Sequence, residues 1–197
     1  MSVIRAFIAI DLSEEIYQRL EEVTRNLQER LAAVPIRWVP VRNIHVTLKF
    51  LGDVSIQNLE VLKKLLETEA RSHQSFEISV GDLGAFPSDR RPRVLWAGVQ
   101  APQVLSALQH GIELETARLG YAPEDRPFSP HLTLGRIGRN AESHDLRLVG
   151  ELLKSSKVGF LGATRIQAVH LYRSDLQPGG AVYTQLHTAN LAKSGKI

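Results

Sequence analysis

Two short stretches of this sequence carry side chains that can move protons. "NIHVTLKFLG" (43–52) holds His45 and Thr47, and "SPHLTLGRIG" (129–138) holds His131 and Thr133. In each, a histidine is followed by an apolar residue, a threonine and a leucine, with a glycine five residues past the threonine; the copies lie 86 residues apart. In an extended strand alternate side chains share a face, their Cα atoms about 6.5–7 Å apart. His45 and Thr47 then point one way and Ile44, Val46 and Leu48 the other, while His131 and Thr133 repeat the arrangement over Leu132 and Leu134.

An imidazole with a free pKa near ~6.5 gives or takes a proton at neutral pH. Two of them facing each other across a cleft suit the opening of a cyclic phosphodiester. One deprotonates the attacking oxygen and the other protonates the leaving oxygen, from opposite sides of the phosphorus. Two threonine hydroxyls can hold the non-bridging oxygens, and an arginine can offset the charge that builds there. No metal or other cofactor is required by this chemistry. A zinc site is disfavoured, because neither strand adds a carboxylate or thiolate on the face of its histidine. The competing reading of one such motif alone is a hydrogen-bonded structural histidine beside a strand-forming threonine. Writing the pair twice argues against it.

The elements that must position these groups repeat as well. The same 86-residue offset pairs Phe86 with Tyr172, Ser88 with Ser174, Asp89 with Asp175 and Pro92 with Pro178; upstream, an offset of 88 pairs Arg5 with Arg93, Ala9 with Ala97 and Leu20 with Leu108. The two-residue difference falls in the loop before each histidine, where length is cheap to vary. We expect a single domain over residues 1–197 with an internal repeat of about 3–90 and 91–187. Each half reads as strand, helix, strand, helix, strand. The first runs through a strand at 3–12 and a helix opened by Ser13, Glu14 and Glu15, with Ile16, Leu20, Val23, Leu27 and Leu31 at helical spacing. Next come an approach through Pro35 and Pro40, the first histidine strand, a helix from Ser55 with a leucine stripe, and a strand at 76–86. The second half follows suit through "RVLWAGV", a helix at 104–119, the second histidine strand, a helix ending near Leu153 and "RIQAVHLYR"; "AVYTQLHTA" closes the chain. With no G-x-G-x-x-G and no Walker loop, the expected fold is α+β. Two pseudo-twofold-related lobes, each an antiparallel sheet with outer helices, flank a central cleft.

Bulk composition agrees with an ordinary globular chain. The 197 residues are 43% apolar and 23% charged, which excludes disordered and fibrous classes, and the absence of cysteine excludes disulfides and thiolate chemistry. The net charge of +3 is a mild bias towards anionic partners. Its placement says more: Arg90, Arg91 and Arg93 crowd one loop, and Arg136 and Arg139 follow the second motif. Arg90 and Arg91 read either as a solvated cluster or as a rail for a phosphate backbone. Trp38, Trp96 and Tyr172 read as core or groove wall. The N-terminal apolar run contains an arginine and lacks a cleavage site, and no stretch approaches the ~20 apolar residues of a membrane span. A cytoplasmic protein, with no membrane partner and monomeric by default, is expected.

"RAFIAIDLS", "HVTLKFLGDV", "FPSDRRPRVLWAGV" and "RPFSPHLTLGR" together resemble the 2H phosphoesterase superfamily and, within it, the RNA 2′,3′-cyclic phosphodiesterases also called 2′-5′ RNA ligases. The likeness runs from residue 5 to about residue 186. It implies hydrolysis of RNA 2′,3′-cyclic phosphate ends, tRNA-like or oligonucleotide, to 2′-phosphomonoesters without ATP or metal, and a capacity for reversible 2′-5′ joining. Carried over residue by residue, it implies His45 as proton donor to the leaving 3′ oxygen and His131 as proton acceptor from water. Thr47 and Thr133 would hold the phosphate, with Arg136, five residues after the second histidine, assisting. Near-symmetric motifs offer no physical ground for choosing donor from acceptor.

Arg136 and its repeat mate Phe50 lie at odd spacing from their histidines, which in a regular strand puts them on the apolar back face. A bulge at Gly135 would swing Arg136 round to the cleft. Phe50 has two readings, a core residue or a base-stacking platform at the cleft edge. Two further function hypotheses remain open: a non-catalytic module holding RNA or nucleotide in the same cleft, and the same chemistry on a small nucleotide cyclic phosphate.

Overall fold

The computed structural model describes residues 2–156, 158–178 and 180–193. Among them the chain forms β1 (Val3–Ile10), α1 (Glu14–Arg30), β2 (Ile36–Trp38), β3 (Val46–Ser55), α2 (Leu59–Arg71), β4 (Phe76–Phe86), β5 (Val94–Gln100), α3 (Gln103–Arg118), β6 (His131–Ile137), α4 (Ser143–Ser155), β7 (Phe160–Ile166), β8 (Ala168–Gln177) and β9 (Gly180–Asn190). The expected helices are present. Ser13 stands at the N-cap of α1, but its side chain makes no capping bond; its backbone N–H donates to Thr164 Oγ1 at 3.1 Å. Two strands have no counterpart in the sequence pattern. β2 lies in the stretch between Pro35 and Pro40 that reads as an approach loop, and "RIQAVHLYR" breaks at Gln167 into the end of β7 and the start of β8.

Pairing between these strands is antiparallel, and one isolated parallel bridge joins Gln74 to Ala192. One ladder runs β3-β1-β8-β9 and the other β6-β5-β4-β7, with β2 added to β6. The expected two sheets are continuous at one point only, a single pair between Val46 of β3 and Leu132 of β6. β1 is a central strand, and that explains the uninterrupted apolar run Ala6–Ile10, whose five residues are all buried.

The lobes do not each take one half of the sequence. β4 and α1 precede the midpoint, yet β4 pairs with β5 and β7, and α1 packs on β7. Conversely β8 pairs with β1, and α3 packs on β3 and α2. Each lobe is therefore tied to the other by exchanged elements, which fixes the cleft between them by packing rather than by a hinge. Close approaches complete the second lobe: a Cβ on Gly150 of α4 would sit 2.3 Å from the Asp89 carbonyl oxygen, so no larger side chain lets α4 reach the β4–β5 turn without a shift.

Behind the first histidine strand lies an unusual core member. Lys49 is buried; its ammonium pairs with Glu113 of α3 and donates to the Ala122 carbonyl. Glu113 also accepts the Glu124 N–H at 2.9 Å. This polar plug pins α3 and the 120–124 loop to the back of β3, directly behind the site.

Candidate active site

The Val46–Leu132 pair decides where the two histidine motifs meet. Val46 and Leu132 point into the core, both at 0% exposure, flanked by buried Ile44, Leu48 and Leu134. The alternate residues face the opposite side. One step along an antiparallel ladder from this pair sets His45 towards Thr133 and Thr47 towards His131. The two histidines are then diagonal neighbours across this single pair, a placement that in a regular ladder sets Cα atoms roughly 7–8 Å apart. Both histidines and both threonines line one cavity of about 550 Å³.

Equivalent bulges bring two more predicted residues into it. In β1–β3 the register passes from Ile8↔Lys49 to Ala9↔Thr47, leaving Leu48 unmatched. In β5–β6 it passes from Leu95↔Gly135 to Trp96↔Thr133, leaving Leu134 unmatched. Each bulge turns two successive residues to the core, Leu48 with Lys49 and Leu134 with Gly135, and reverses the alternation beyond. Arg136 and Phe50 therefore emerge on the cleft face, and both line the cavity. The core reading of Phe50 is overturned: its exposure is 57%. Strict period-2 alternation failed because the extra residue cannot be seen in composition.

The two imidazoles have different surroundings. His45 immediately precedes β3 and stacks on Phe7 at 4.7 Å between centroids and 19° between planes, with Tyr183 edge-on at 5.4 Å. Burial against these rings holds its pKa down at about 4, opposed by the charge of Asp11 and a hydrogen bond to the Asn43 backbone. His131 begins β6; its Nδ1 is bonded to the Ser129 carbonyl at 2.8 Å, and Phe86 meets it edge-on at 4.9 Å. Each ring is thus anchored to the backbone two residues upstream. For His131 this uses Nδ1 as donor and leaves Nε2 to the cleft.

Behind Phe7 the stack continues to Tyr172 at 5.2 Å, whose hydroxyl donates to Asp11. Burial first, and then the Asp11 carboxylate, push the Tyr172 pKa up, so the phenol stays protonated. Asp11 also lies 3.6 Å from His170, whose pKa burial pushes down.

Several cavity residues carry no clear signal in the sequence. Arg37 of β2 lies opposite Arg136 in the ladder, Trp38 lies opposite Gly135, and both line the cavity with Asn43 and Tyr183. Asn43 Nδ2 donates to the Ala181 carbonyl at 2.8 Å, which ties the β8–β9 hairpin tip to the turn before His45. Alternation inside "IRWV" is a faint signal for β2, masked by the flanking prolines. Tyr183 has none, since it belongs to no duplicated motif. Trp38, expected as core or groove wall, is both: partly buried, it packs against the core and also lines the cavity. Arg90 and Arg91 lie in the β4–β5 turn and do not line the cavity. Among the described residues the lining contains no aspartate or glutamate, and its permanent charges are those of Arg37 and Arg136. No helix among the described residues is long and apolar enough to cross a membrane.

The LigT-like phosphoesterase family model matches this chain twice, over residues 10–96 and 98–183. An RNA 2′,3′-cyclic phosphodiesterase of Methanothermobacter thermautotrophicus is 35% identical over 189 residues, covering 95% of this chain and 99% of the relative. One of Aquifex aeolicus is 33% identical over 187 residues, covering 93% and 95%. Among solved structures, TT0787 of Thermus thermophilus superposes with a TM-score of 0.80 at 26% identity over 98% of this chain and 100% of that one. Escherichia coli LigT complexed with 3′-AMP superposes with a TM-score of 0.75 at 28% identity over 96% and 99%. The twofold family match, with relatives aligned almost end to end, agrees with the paired histidine strands: the chain belongs to the LigT-like phosphoesterase family.

Proposed function

We propose that this cleft hydrolyses 2′,3′-cyclic phosphate ends of RNA to 2′-phosphomonoesters, using its two histidines as acid and base. The observation that carries the reading is one cavity lined by both His-x-Thr faces and by arginine, with no acidic residue in its lining among the described residues. The family membership supports the same chemistry, as do relatives that are RNA 2′,3′-cyclic phosphodiesterases. A water on one side of the phosphorus gives its proton to one histidine as its oxygen bonds to phosphorus. The bond to the 3′ oxygen breaks on the other side, and the second histidine supplies the proton that makes the 3′ hydroxyl. Thr47 and Thr133 hold the non-bridging oxygens, and Arg136 balances the charge gathering there. Phe50, exposed at the rim, offers a face on which the terminal base stacks. A 5′ hydroxyl in place of water makes a 2′-5′ linkage by the same displacement. Every residue the reading uses comes from one chain, so a monomer suffices.

The family resemblance makes His45 the donor and His131 the acceptor. With its pKa near 4, His45 can donate at neutral pH only if the phosphate anion raises its proton affinity on binding. The same shift favours a second reading, in which neutral His45 accepts the water proton. A substrate with sulfur in place of the 3′ oxygen separates them, because a thiolate leaves without protonation. Recovery of a His45→Ala variant on that substrate means His45 donates; recovery of His131→Ala means the reverse. The parent test is incubation of a nucleoside 2′,3′-cyclic phosphate with protein in EDTA. A 2′-phosphate product is expected; a 3′-phosphate, or turnover that vanishes with the chelator, sinks the reading.

A further inference from the structure

The proposed chemistry leaves one charge unused. Arg37 and Arg136 stand directly opposite each other in the β2–β6 ladder, both exposed and both lining the cavity. Like charges at opposed positions of a strand pair repel and destabilise it. Neither guanidinium makes an ion pair or hydrogen bond among the described residues, and no carboxylate lines the cavity to neutralise them. Both act on Tyr183, where their charge opposes the upward push of burial on the phenol. Two unneutralised guanidinium groups held side by side are a receptor for more negative charge than one phosphodiester carries.

Their position indicates which charge. The outer edge of β6 is shared: β3 meets it at Leu132, beside the histidines, and β2 meets it at residues 135–137. Arg37 therefore lies along β6 from the reaction centre, beyond Thr133, with Trp38 and Tyr183 walling the same part of the cavity. A nucleotide whose cyclic phosphate sits between the histidines carries its next phosphate on its own 5′ oxygen. A bare nucleoside has nothing to offer Arg37 there.

Resting on the proposed function, we infer that Arg37 holds the phosphate on the 5′ oxygen of the terminal nucleotide, which makes this cleft select polynucleotide ends over unphosphorylated nucleosides. Arg136 stays with the cyclic phosphate. The second guanidinium is thus a specificity-determining residue, and the repulsion between the pair is relieved only when both phosphates are present.

Adenosine 2′,3′-cyclic phosphate with and without a 5′-phosphate tests this on the full chain. Wild-type protein is expected to prefer the 5′-phosphorylated form in kcat/KM by about tenfold or more, the scale of one charge-assisted hydrogen-bonding contact. Arg37→Ala is expected to reduce that ratio towards one, with Arg37→Lys keeping part of it as a point charge. The wild-type ratio also shrinks as salt is raised. No preference in wild type, or equal losses on both substrates in Arg37→Ala, overturns the inference. If wild type turns over neither form, the proposed reaction has failed. Equilibrium binding of adenosine 2′-phosphate with and without the 5′-phosphate then tests the subsite on its own. A binding ratio of about tenfold that Arg37→Ala abolishes supports it, and a ratio of one overturns it.

Discussion

Replacing His45 with glutamine changes how stability depends on pH, and the size of the change follows from the packing of one ring. In the unfolded chain the imidazole titrates near ~6.5; in the fold, burial against Phe7 and Tyr183 holds it at about 4. A folded-state pKa below the unfolded one means that the unfolded chain binds more protons between these values. Stability is therefore fully present above the unfolded pKa and is lost as pH falls towards the folded pKa. Between about pH 7.5 and about pH 5 this single group costs about 2 kcal/mol. Opposing contributions from Asp11 and the Asn43 backbone are already contained in the folded value. Every other group acts on both proteins alike, so the quantity to read is a difference of differences. Urea midpoints of wild type and His45→Gln are measured at both pH values, with slopes constrained to agree. At a slope of about 2 kcal/mol/M the wild-type midpoint moves down by about 1 M more than that of the variant. An NMR titration of the imidazole in the free protein gives the pKa directly, and it is expected to rise when inorganic phosphate is added. Equal midpoint shifts in both proteins, or an imidazole titrating near ~6.5 without added phosphate, would falsify the assignment of His45 as a desolvated, neutral group.

Further outcomes follow from the same geometry. His45→Ala and His131→Ala each lower kcat on a nucleoside 2′,3′-cyclic phosphate by about 10²–10⁴-fold without comparable loss of stability, checked by steady-state kinetics beside a urea melt. Arg136→Ala lowers kcat/KM by roughly 10–100-fold, and Arg136→Lys recovers only part because a point charge replaces a bidentate fork. Phe50→Ala leaves the stability from urea unfolding within about 0.5 kcal/mol of wild type because the ring is exposed. It weakens nucleotide binding by about 1–3 kcal/mol in a calorimetric titration, and Phe50→Tyr restores it. Lys49→Met leaves Glu113 without its counter-ion and costs about 3 kcal/mol in urea unfolding, the low end for a broken buried pair because Glu113 keeps the Glu124 N–H. Adding Glu113→Gln recovers part of that loss.

How much is legible without coordinates divides along one physical line. His45, Thr47, His131 and Thr133 are legible because alternation within a strand is a local property and the motif is written twice. The helices α1 and α2 declare themselves by the apolar spacing of Ile16, Leu20 and Leu27 and of Leu62 and Leu66, for the same local reason. Phe50 and Arg136 are ambiguous, since an unmatched Leu48 or Leu134 becomes a bulge only against a partner strand that skips it. Arg37 is barely legible: four residues between two prolines have no firm strand identity until β6 offers three of them an edge. The exchange of β4 and β8 between the lobes lies likewise beyond periodicity, because strand order is a choice among partners of equal local quality. By itself, then, the sequence determined that each histidine shares a strand face with its threonine, and what chemistry two imidazoles and two hydroxyls can do. Only the tertiary structure decided that the faces share one cavity, that His45 is desolvated by Phe7 and Tyr183 while His131 rests on a carbonyl, and that a second arginine stands beside the first. Those are long-range contacts, and their energies depend on neighbours that are far away along the chain.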